Sequence, residues 1–184
     1  IHSFHEEYPD ISMEIFQGTY DDVVYWIKNG VVDVGFLSVS SAADIPIEPL
    51  YKDPLLCVVQ KGWRTSKEPM SIEEMKNCQF VTQRESTDAD IQNFMKENHL
   101  DVRSSYHVVD DLSTVVMVAN GFGICLMPEM VMKDIPYEVD CFPVKPDACR
   151  IIGIAALNPD NMAPAVRTFY NRVLAMYQQE EYAK

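Results

Sequence analysis

Short β-rich segments alternate with helical patterns along the whole 184-residue chain, and this alternation restricts the possible folds more than any other feature. Leu55–Val59 is an unbroken apolar run, typical of a strand buried on both faces. Val166, Phe169 and Val173 belong to a series of apolar residues at helical spacing near the C-terminus, which predicts an amphipathic helix beginning at Pro164. The pattern predicts an α/β fold with parallel sheets.

The same reading predicts individual elements. Ile1, Phe4 and Tyr8 indicate a helix that ends at Pro9. Capping residues predict where later helices begin, and β-rich runs predict the strands. The helices begin near Thr19 or Asp21, Ser71, Thr87 or Asp88, and Asp111 or Ser113. The strands are Ile11–Ile15, Val32–Leu37, Ile47–Tyr51, Pro54–Gln60, Gln79–Thr82, Tyr106–Val109, Gly123–Met127, Val139–Val144 and Ile151–Leu157.

The first strands are too few to form a sheet of their own. Adding the C-terminal strand and helix completes a lobe, so we predict lobe I from residues 1–59 plus 150–184 and lobe II from residues 60–149. The chain then crosses between the lobes twice, which predicts a hinge and a cleft. Ligands of open α/β sheets bind at the carboxyl ends of strands, beside helix N-termini.

Charge and cysteine content restrict the function. The formal net charge is −13, with 15 basic and 28 acidic residues, so this chain alone is a poor nucleic-acid binder. No apolar run approaches the roughly 20 residues that span a bilayer, and no signal peptide opens the sequence. The five cysteines are odd in number and lack C-x-x-C spacing, which predicts free thiols and a cytoplasmic location. We expect no metal and no cofactor.

Four segments, in this order, resemble the effector-binding portion of LysR-type transcriptional regulators. The first runs from Phe4 through Tyr8-Pro9-Asp10-Ile11 and Gly18 to Lys28-Asn29-Gly30 and Asp33-Val34-Gly35-Phe36. The others are Pro49–Val59, Asp110–Pro128 with its Gly121-x-Gly123-Ile124 turn, and Ala163–Phe169. Together they cover nearly the whole chain, and their order and spacing carry the signal.

The resemblance implies two Rossmann-like lobes joined by two crossover strands, as in type 2 periplasmic binding proteins. It implies a regulatory domain that senses a small metabolite in the inter-lobe cleft. It also implies a homodimer, a tetramer in the full-length protein, and DNA binding only through an N-terminal winged helix-turn-helix outside this sequence. The family begins this portion with a strand and a polar turn, which would lie before Ile1. No capping residue precedes Ile1, which predicts that the sequence is part of a longer chain; the alternative is a native start at Ile1 with a frayed first turn.

The candidate ligand-binding residues are polar side chains that follow predicted strands or open predicted helices. They are Thr19, Ser38, Ser40, Gln83, Arg84, Ser86, Thr87, Asp111, Ser113 and Thr114. Arg84 is a scarce positive charge that could pair with a carboxylate, so the effector could be an anion. The alternative for each residue is a structural role, either capping a helix or forming an ordinary polar turn.

Two other functions compete with the sensor. An extracytoplasmic solute-binding protein for a transporter would have the same fold, but the unpaired cysteines and the lack of a signal weigh against it. An enzyme is the third possibility. The sequence contains no nucleophile motif or phosphate-binding loop, and its four histidines lack metal-ligand spacing, so we predict no catalytic function.

Overall fold

A computed structural model of the chain describes residues 1–83, 89–102 and 104–181. The chain forms two compact units: unit 1 comprises Ile1–Tyr51 and Ile151–Lys184, and unit 2 comprises Lys52–Arg150. The helices are α1 (His2–Glu7), α2 (Tyr20–Lys28), α3 (Ile72–Lys76), α4 (Ala89–Glu97), α5 (Asp111–Ala119), α6 (Glu129–Met132) and α7 (Pro164–Glu181). The strands are β1 (Gly35–Ser38), β2 (Ile47–Gln60), β3 (Met70–Ser71), β4 (Phe80–Gln83), β5 (Ser104–Val108), β6 (Cys125–Pro128), β7 (Val139–Lys145) and β8 (Cys149–Ala155).

Unit 1 is built around β8, which pairs with β1 on one side and with β2 on the other. The β1–β8 pairing is antiparallel. Ile154 joins a core cluster with Phe4 of α1 and Phe169 of α7, whose rings meet edge to face at 5.1 Å. Its neighbour Ala155 joins a second cluster with Ile27 of α2. Because successive strand residues face opposite sides, α1 and α7 cover one face and α2 covers the other.

Unit 2 contains a sheet in the order β5, β4, β6, β2, β7, β3. A parallel bridge between Phe80 and Ile124 joins β4 to the start of β6. Cys57 of β2 packs in the same cluster as Phe94 of α4, whereas Val58 packs in the cluster that contains Val115 of α5. Helices α4 and α5 therefore cover opposite faces of this sheet.

The structure changes several predictions about the strands. The two predicted segments 47–51 and 54–60 form one strand, β2. Ile11–Ile15 shows the expected alternation in burial at Ile11 and Met13, but no described strand pairs with it. A strand requires a partner for its backbone groups, and alternation of side chains does not supply one.

The expectation of purely parallel sheets is wrong, since the sheet is mixed. The β4–β5 and β3–β7 pairings are parallel, but β2 is antiparallel to both β6 and β7. Strand–helix alternation determines direction only where a helix connects two adjacent strands, as α4 connects β4 to β5. Strand β2 pairs with strands far along the chain, so element order alone does not set its direction. The lobe boundaries at 59/60 and 149/150 stay predictions; the compact units change at 51/52 and 150/151.

Of the three predicted helix caps that lie within the described residues, two are confirmed and one is wrong. Thr19 caps α2 and Ser71 caps α3, each through a reciprocal capping box. Helix α5 is capped by Asp110, whose carboxylate accepts the Ser113 N–H at 2.8 Å. The prediction of Asp111 or Ser113 as the cap is therefore wrong, because Asp110 has the extended backbone that an N-cap needs.

Candidate functional site

The connections of unit 2 diverge at the carboxyl end of β4. Helix α4 leads from β4 to β5 on one side, and α5 then leads to β6 on the other side of β4. These two helices cover opposite faces of the sheet. Strand order thus reverses at β4, and such a switch point leaves a crevice at the strand ends.

A pocket lies where this topology predicts one. Its lining residues come from β4, α4, α5 and β6, and they are Phe80, Val81, Thr82, Ile91, Gln92, Met95, Thr114 and Leu126. The cavity itself measures about 20 Å³, room for a water-sized group. Most of the lining is apolar, and none of these described lining residues carries a charge. The pocket is therefore suited to an uncharged group of a small molecule.

Two of the polar groups at the pocket are hydroxyls that already have protein partners. The fully buried Thr114 donates its hydroxyl to the Asp110 carbonyl oxygen at 2.8 Å. The Thr82 hydroxyl lies 3.0 Å from Nδ1 of His107, on the neighbouring strand β5. These contacts fix both side chains, so each presents a defined rotamer to the pocket.

Gln92 is the third polar lining residue, and it differs from the threonines. It lies in the first turns of α4 and is partly buried. Within the described part of the chain, its side-chain amide makes no hydrogen bond. An amide carries both donors and an acceptor, so Gln92 can serve a ligand in either sense.

The start of α5 adds electrostatic character beside the pocket. The Ser113 backbone N–H that caps against Asp110 holds the pKa of that carboxyl below its usual range. Asp110 is therefore ionised at neutral pH. Asp111 follows as the first helical residue and is partly buried. Neither aspartate is among the described lining residues of the pocket.

The predicted residues of unit 2 divide into four groups. Thr114 lines the pocket, whereas Asp111 and Ser113 are not among its described lining residues. Gln83 ends β4, and only its backbone is described. Arg84, Ser86 and Thr87 lie outside the described residues, as does the predicted cap at Thr87 or Asp88.

The predicted residues of unit 1 lie at the ends of β1 and before α2. Ser38 ends β1, is fully buried, and places its hydroxyl oxygen 3.0 Å from that of Ser40. The Thr19 hydroxyl accepts the Asp22 backbone N–H and lies 2.8 Å from the Asp22 carboxylate. Thr19 therefore performs the capping role that the sequence offered as its alternative.

Two polar lining residues, Thr82 and Gln92, are not among the residues that the sequence predicts for the site. The sequence predicts Thr82 as the last residue of a strand, and a position at a strand end favours contact with a ligand. Gln92 is flanked by the lining residues Ile91 and Met95, which lie on the inward face of α4. The sequence signal that could have identified Gln92 is its position as a polar residue at the edge of the apolar face of α4.

The described residues contain neither a metal-binding cluster nor a helix that could span a membrane. No three His, Cys, Asp or Glu side chains there are grouped to hold a metal ion. No helix within those ranges combines the length and apolar character that crossing a bilayer requires.

The fold and its crevice define a ligand-binding domain of the periplasmic-binding-protein-like α/β class. Residues 1–178 match the sequence model of the LysR substrate binding domain family, and the chain belongs to this family. This confirms the resemblance seen in the four sequence segments.

Relatives named as transcriptional regulators support this membership. The uncharacterized HTH-type transcriptional regulator YoaU of Bacillus subtilis (strain 168) is 24% identical over 179 residues, covering 92% of this chain and 58% of that protein. The probable HTH-type transcriptional regulator LrrA of Synechococcus elongatus is 23% identical, covering 90% of this chain and 57% of that protein. The chain thus spans less than three fifths of the length of these relatives.

Solved structures confirm the predicted fold class. The effector binding domain of QuiR in complex with shikimate superposes with a TM-score of 0.83 at 22% identity, covering 97% of this chain and 88% of that one. The Synechocystis PCC6803 CcmR regulatory domain in complex with 2-PG gives a TM-score of 0.86 at 16% identity, covering 96% and 88%. At such identities the likeness establishes the fold.

Proposed function

We propose that this chain is the effector-binding domain of a DNA-binding transcriptional regulator, and that it acts by binding a small metabolite rather than by catalysis. The observation that carries the proposal is the pocket at the β4 switch point, with fixed threonine hydroxyls and the uncommitted Gln92 amide. Membership of the LysR substrate-binding family supplies the regulatory context. Names of the relatives favour a regulator over an extracytoplasmic solute-binding protein.

The effector class follows from the pocket and from related domains. Shikimate, which occupies the QuiR domain, is a hydroxylated ring carboxylate. A ligand of that kind has a ring with hydroxyl groups and one anionic end. We propose a small organic acid as effector, with Arg84 as a candidate contact for its anionic end. Thr19, Ser38, Ser40, Gln83, Ser86, Thr87, Asp111 and Ser113 stay candidate contacts.

Regulation requires that the effector bind one conformation better than another. A ligand shifts a conformational equilibrium only by its difference in affinity for the two states. We propose that this difference changes the geometry of a homodimer, a tetramer in the full-length regulator. DNA would be contacted through a winged helix-turn-helix outside the present sequence, in the cytoplasm.

A thermal-shift screen tests the proposal directly. The 184-residue chain is heated with small carboxylic acids, amino acids and nucleosides in turn. A true effector at a hundredfold excess over Kd stabilises the folded state by about 2.7 kcal/mol. The same compound should lose its effect when Gln92→Trp fills the pocket from its partly buried edge, whereas the exposed Glu73→Gln variant on α3 should keep it. If no compound of the three classes raises the melting temperature, the proposal is contradicted.

A further inference from the structure

We propose that His107 is a further ligand-contacting residue of the effector site, and that Thr82 holds its imidazole so that Nε2 donates a hydrogen bond to a carboxylate of the effector. This inference rests on the proposed function, because it concerns the same ligand. It adds one binding residue and one positioning residue, and it assigns the class of group that they recognise.

Both residues lie near the carboxyl ends of neighbouring parallel strands. Thr82 of β4 and His107 of β5 are partners in the register of this pair, one residue before the last paired position, which joins Gln83 to Val108. Partners in register point to the same face of a sheet, and Thr82 lines the cavity beside α4. His107 therefore lies on that face, at the end of the strands where ligands of open α/β sheets bind.

The His107 ring is exposed to solvent but held at one of its two nitrogens. Its Nδ1 atom lies 3.0 Å from the Thr82 hydroxyl oxygen. The side chain is exposed, and Nε2 makes no hydrogen bond to any described residue. Because the two nitrogens lie on different sides of the ring, the contact at Nδ1 directs Nε2 away from Thr82.

The surroundings of Thr82 make Nε2 a donor in both protonation states of the ring. The Thr82 hydroxyl has two acceptors within reach, Nδ1 of His107 at 3.0 Å and the Tyr106 carbonyl oxygen at 3.4 Å. When the ring is neutral, the hydroxyl donates to the nearer Nδ1, which leaves the ring proton on Nε2. When the ring is charged, Nδ1–H donates to the hydroxyl oxygen, and the hydroxyl donates to the Tyr106 carbonyl. An ionised carboxylate only accepts hydrogen bonds, so it is the group that suits this outward N–H.

Nuclear magnetic resonance of the ligand-free chain tests how the ring is held. Long-range proton–nitrogen correlation spectra should show the neutral His107 ring with its proton on Nε2. Thr82→Val should reduce this preference, because it removes the hydroxyl that donates to Nδ1. A proton on Nδ1 in the neutral ring of the parent chain would overturn the inference.

Calorimetric titration with matched probes tests the contact with ligand. The probes are acetate, benzoate and shikimate, each compared with its neutral amide. We expect at least one carboxylate to bind about tenfold more tightly than its amide, since hydrogen bonds to charged groups are the stronger ones. Binding of that carboxylate should also shift the Nε2 signal of His107 in the parent chain.

Two substitutions at the same position separate the ring nitrogens. His107→Asn keeps a polar group for Thr82 but is too short to replace Nε2, so it should weaken binding of the carboxylate by about tenfold. His107→Gln extends an amide nitrogen toward the position of Nε2 and should restore part of the affinity. His5→Asn, at an exposed histidine of α1, is the matched control and should leave the affinity unchanged.

A double-mutant comparison tests whether Thr82 acts through His107. Thr82→Val should weaken carboxylate binding in the parent chain and have little further effect in the His107→Asn variant. Equal effects in the two backgrounds would overturn the positioning role of Thr82.

Three outcomes of the titrations overturn the role of His107. They are an Nε2 signal that does not move when a carboxylate binds, an unchanged affinity in a His107→Asn variant that melts like the parent chain, and failure of all three carboxylates to bind. If amino acids or nucleosides still stabilise the chain in the thermal screen, only this inference fails. If no compound stabilises it, the proposed function fails as well.

Discussion

Asp53 and Arg150 form a buried ion pair, with 2.9 Å between the Asp53 carboxylate and Nε of Arg150. The Asp53 side chain is fully excluded from solvent and that of Arg150 is 11% exposed. The second carboxylate oxygen accepts the Met130 backbone N–H at 2.8 Å. The two partners lie on β2 and β8, next to the points where the chain passes between units. The pair therefore ties both crossing strands to unit 2.

Removing Arg150 should destabilise the chain strongly. Arg150→Met leaves a buried carboxylate without its cation, and breaking such a pair costs about 3–5 kcal/mol. Urea denaturation measures the loss. The exposed pair Lys76–Glu73 provides the control, because Lys76→Met should cost less than about 1 kcal/mol. Equal losses in the two variants would show that the buried pair has no special role.

The cap of α5 should produce a pH-dependent contribution to stability. Asp110→Ala removes the acceptor for the Ser113 N–H and should cost about 1 kcal/mol at neutral pH. Because folding lowers the pKa of Asp110, this contribution is present above the unfolded pKa of about 3.9 and is lost as pH falls through the folded value.

Asp110→Asn keeps a capping acceptor without a titrating group. Melting temperatures from pH 6 downward should therefore show a smaller acid-dependent loss in the asparagine variant than in the parent. If the melting temperatures of parent and variant fell equally with pH, the ionised form of Asp110 would not be what strengthens this cap.

Gly123 should tolerate no side chain. Its φ is +145°, and a Cβ atom there would approach the Gln79 carbonyl group closer than 3.0 Å. That carbonyl accepts the Ile124 N–H that joins β4 to β6. Gly123→Ala should cost at least about 3 kcal/mol in chemical denaturation. Gly62→Ala is the control: its φ is +74° with open space around it, so about 1–2 kcal/mol is expected. Similar losses of stability in the two variants would argue against a close approach between residue 123 and the Gln79 carbonyl group.

The thiols should differ in reactivity with iodoacetamide. Cys57 and Cys125 are buried, and burial raises the pKa of both thiols far above the ordinary range. Since the thiolate is the reactive form, they should be modified only on unfolding. The exposed residue Cys141 should react in the folded protein, more slowly than a free cysteine because its pKa is raised. Mass spectrometry measures the order in which the cysteines are labelled, and the Cys141→Ser variant serves as the control for labelling at that site. Rapid labelling of Cys57 in the folded protein would contradict the prediction.

The sequence predicted the parts of the fold that local patterns encode. The capping box at Ser71, the apolar face of α7 and the buried run in β2 all have short-range signatures. Sheet direction did not follow from the sequence, because the partners of β2 lie far along the chain.

The site was predicted only in part for a similar reason. Thr114 was found because polar residues at helix starts are an expected feature. Gln92 was missed because its role depends on how α4 faces β4 and β6, which is a tertiary relationship. The Asp53–Arg150 ion pair could not be predicted from local sequence patterns either, because its partners are 97 residues apart in the sequence.

The structure of the chain with its tightest-binding organic acid tests the central claim most directly. We predict that the ligand binds at the carboxyl end of β4, over this pocket, with a polar group within hydrogen-bond distance of Thr82 or Gln92. A ligand bound elsewhere on the chain, with this pocket left empty, would contradict the account.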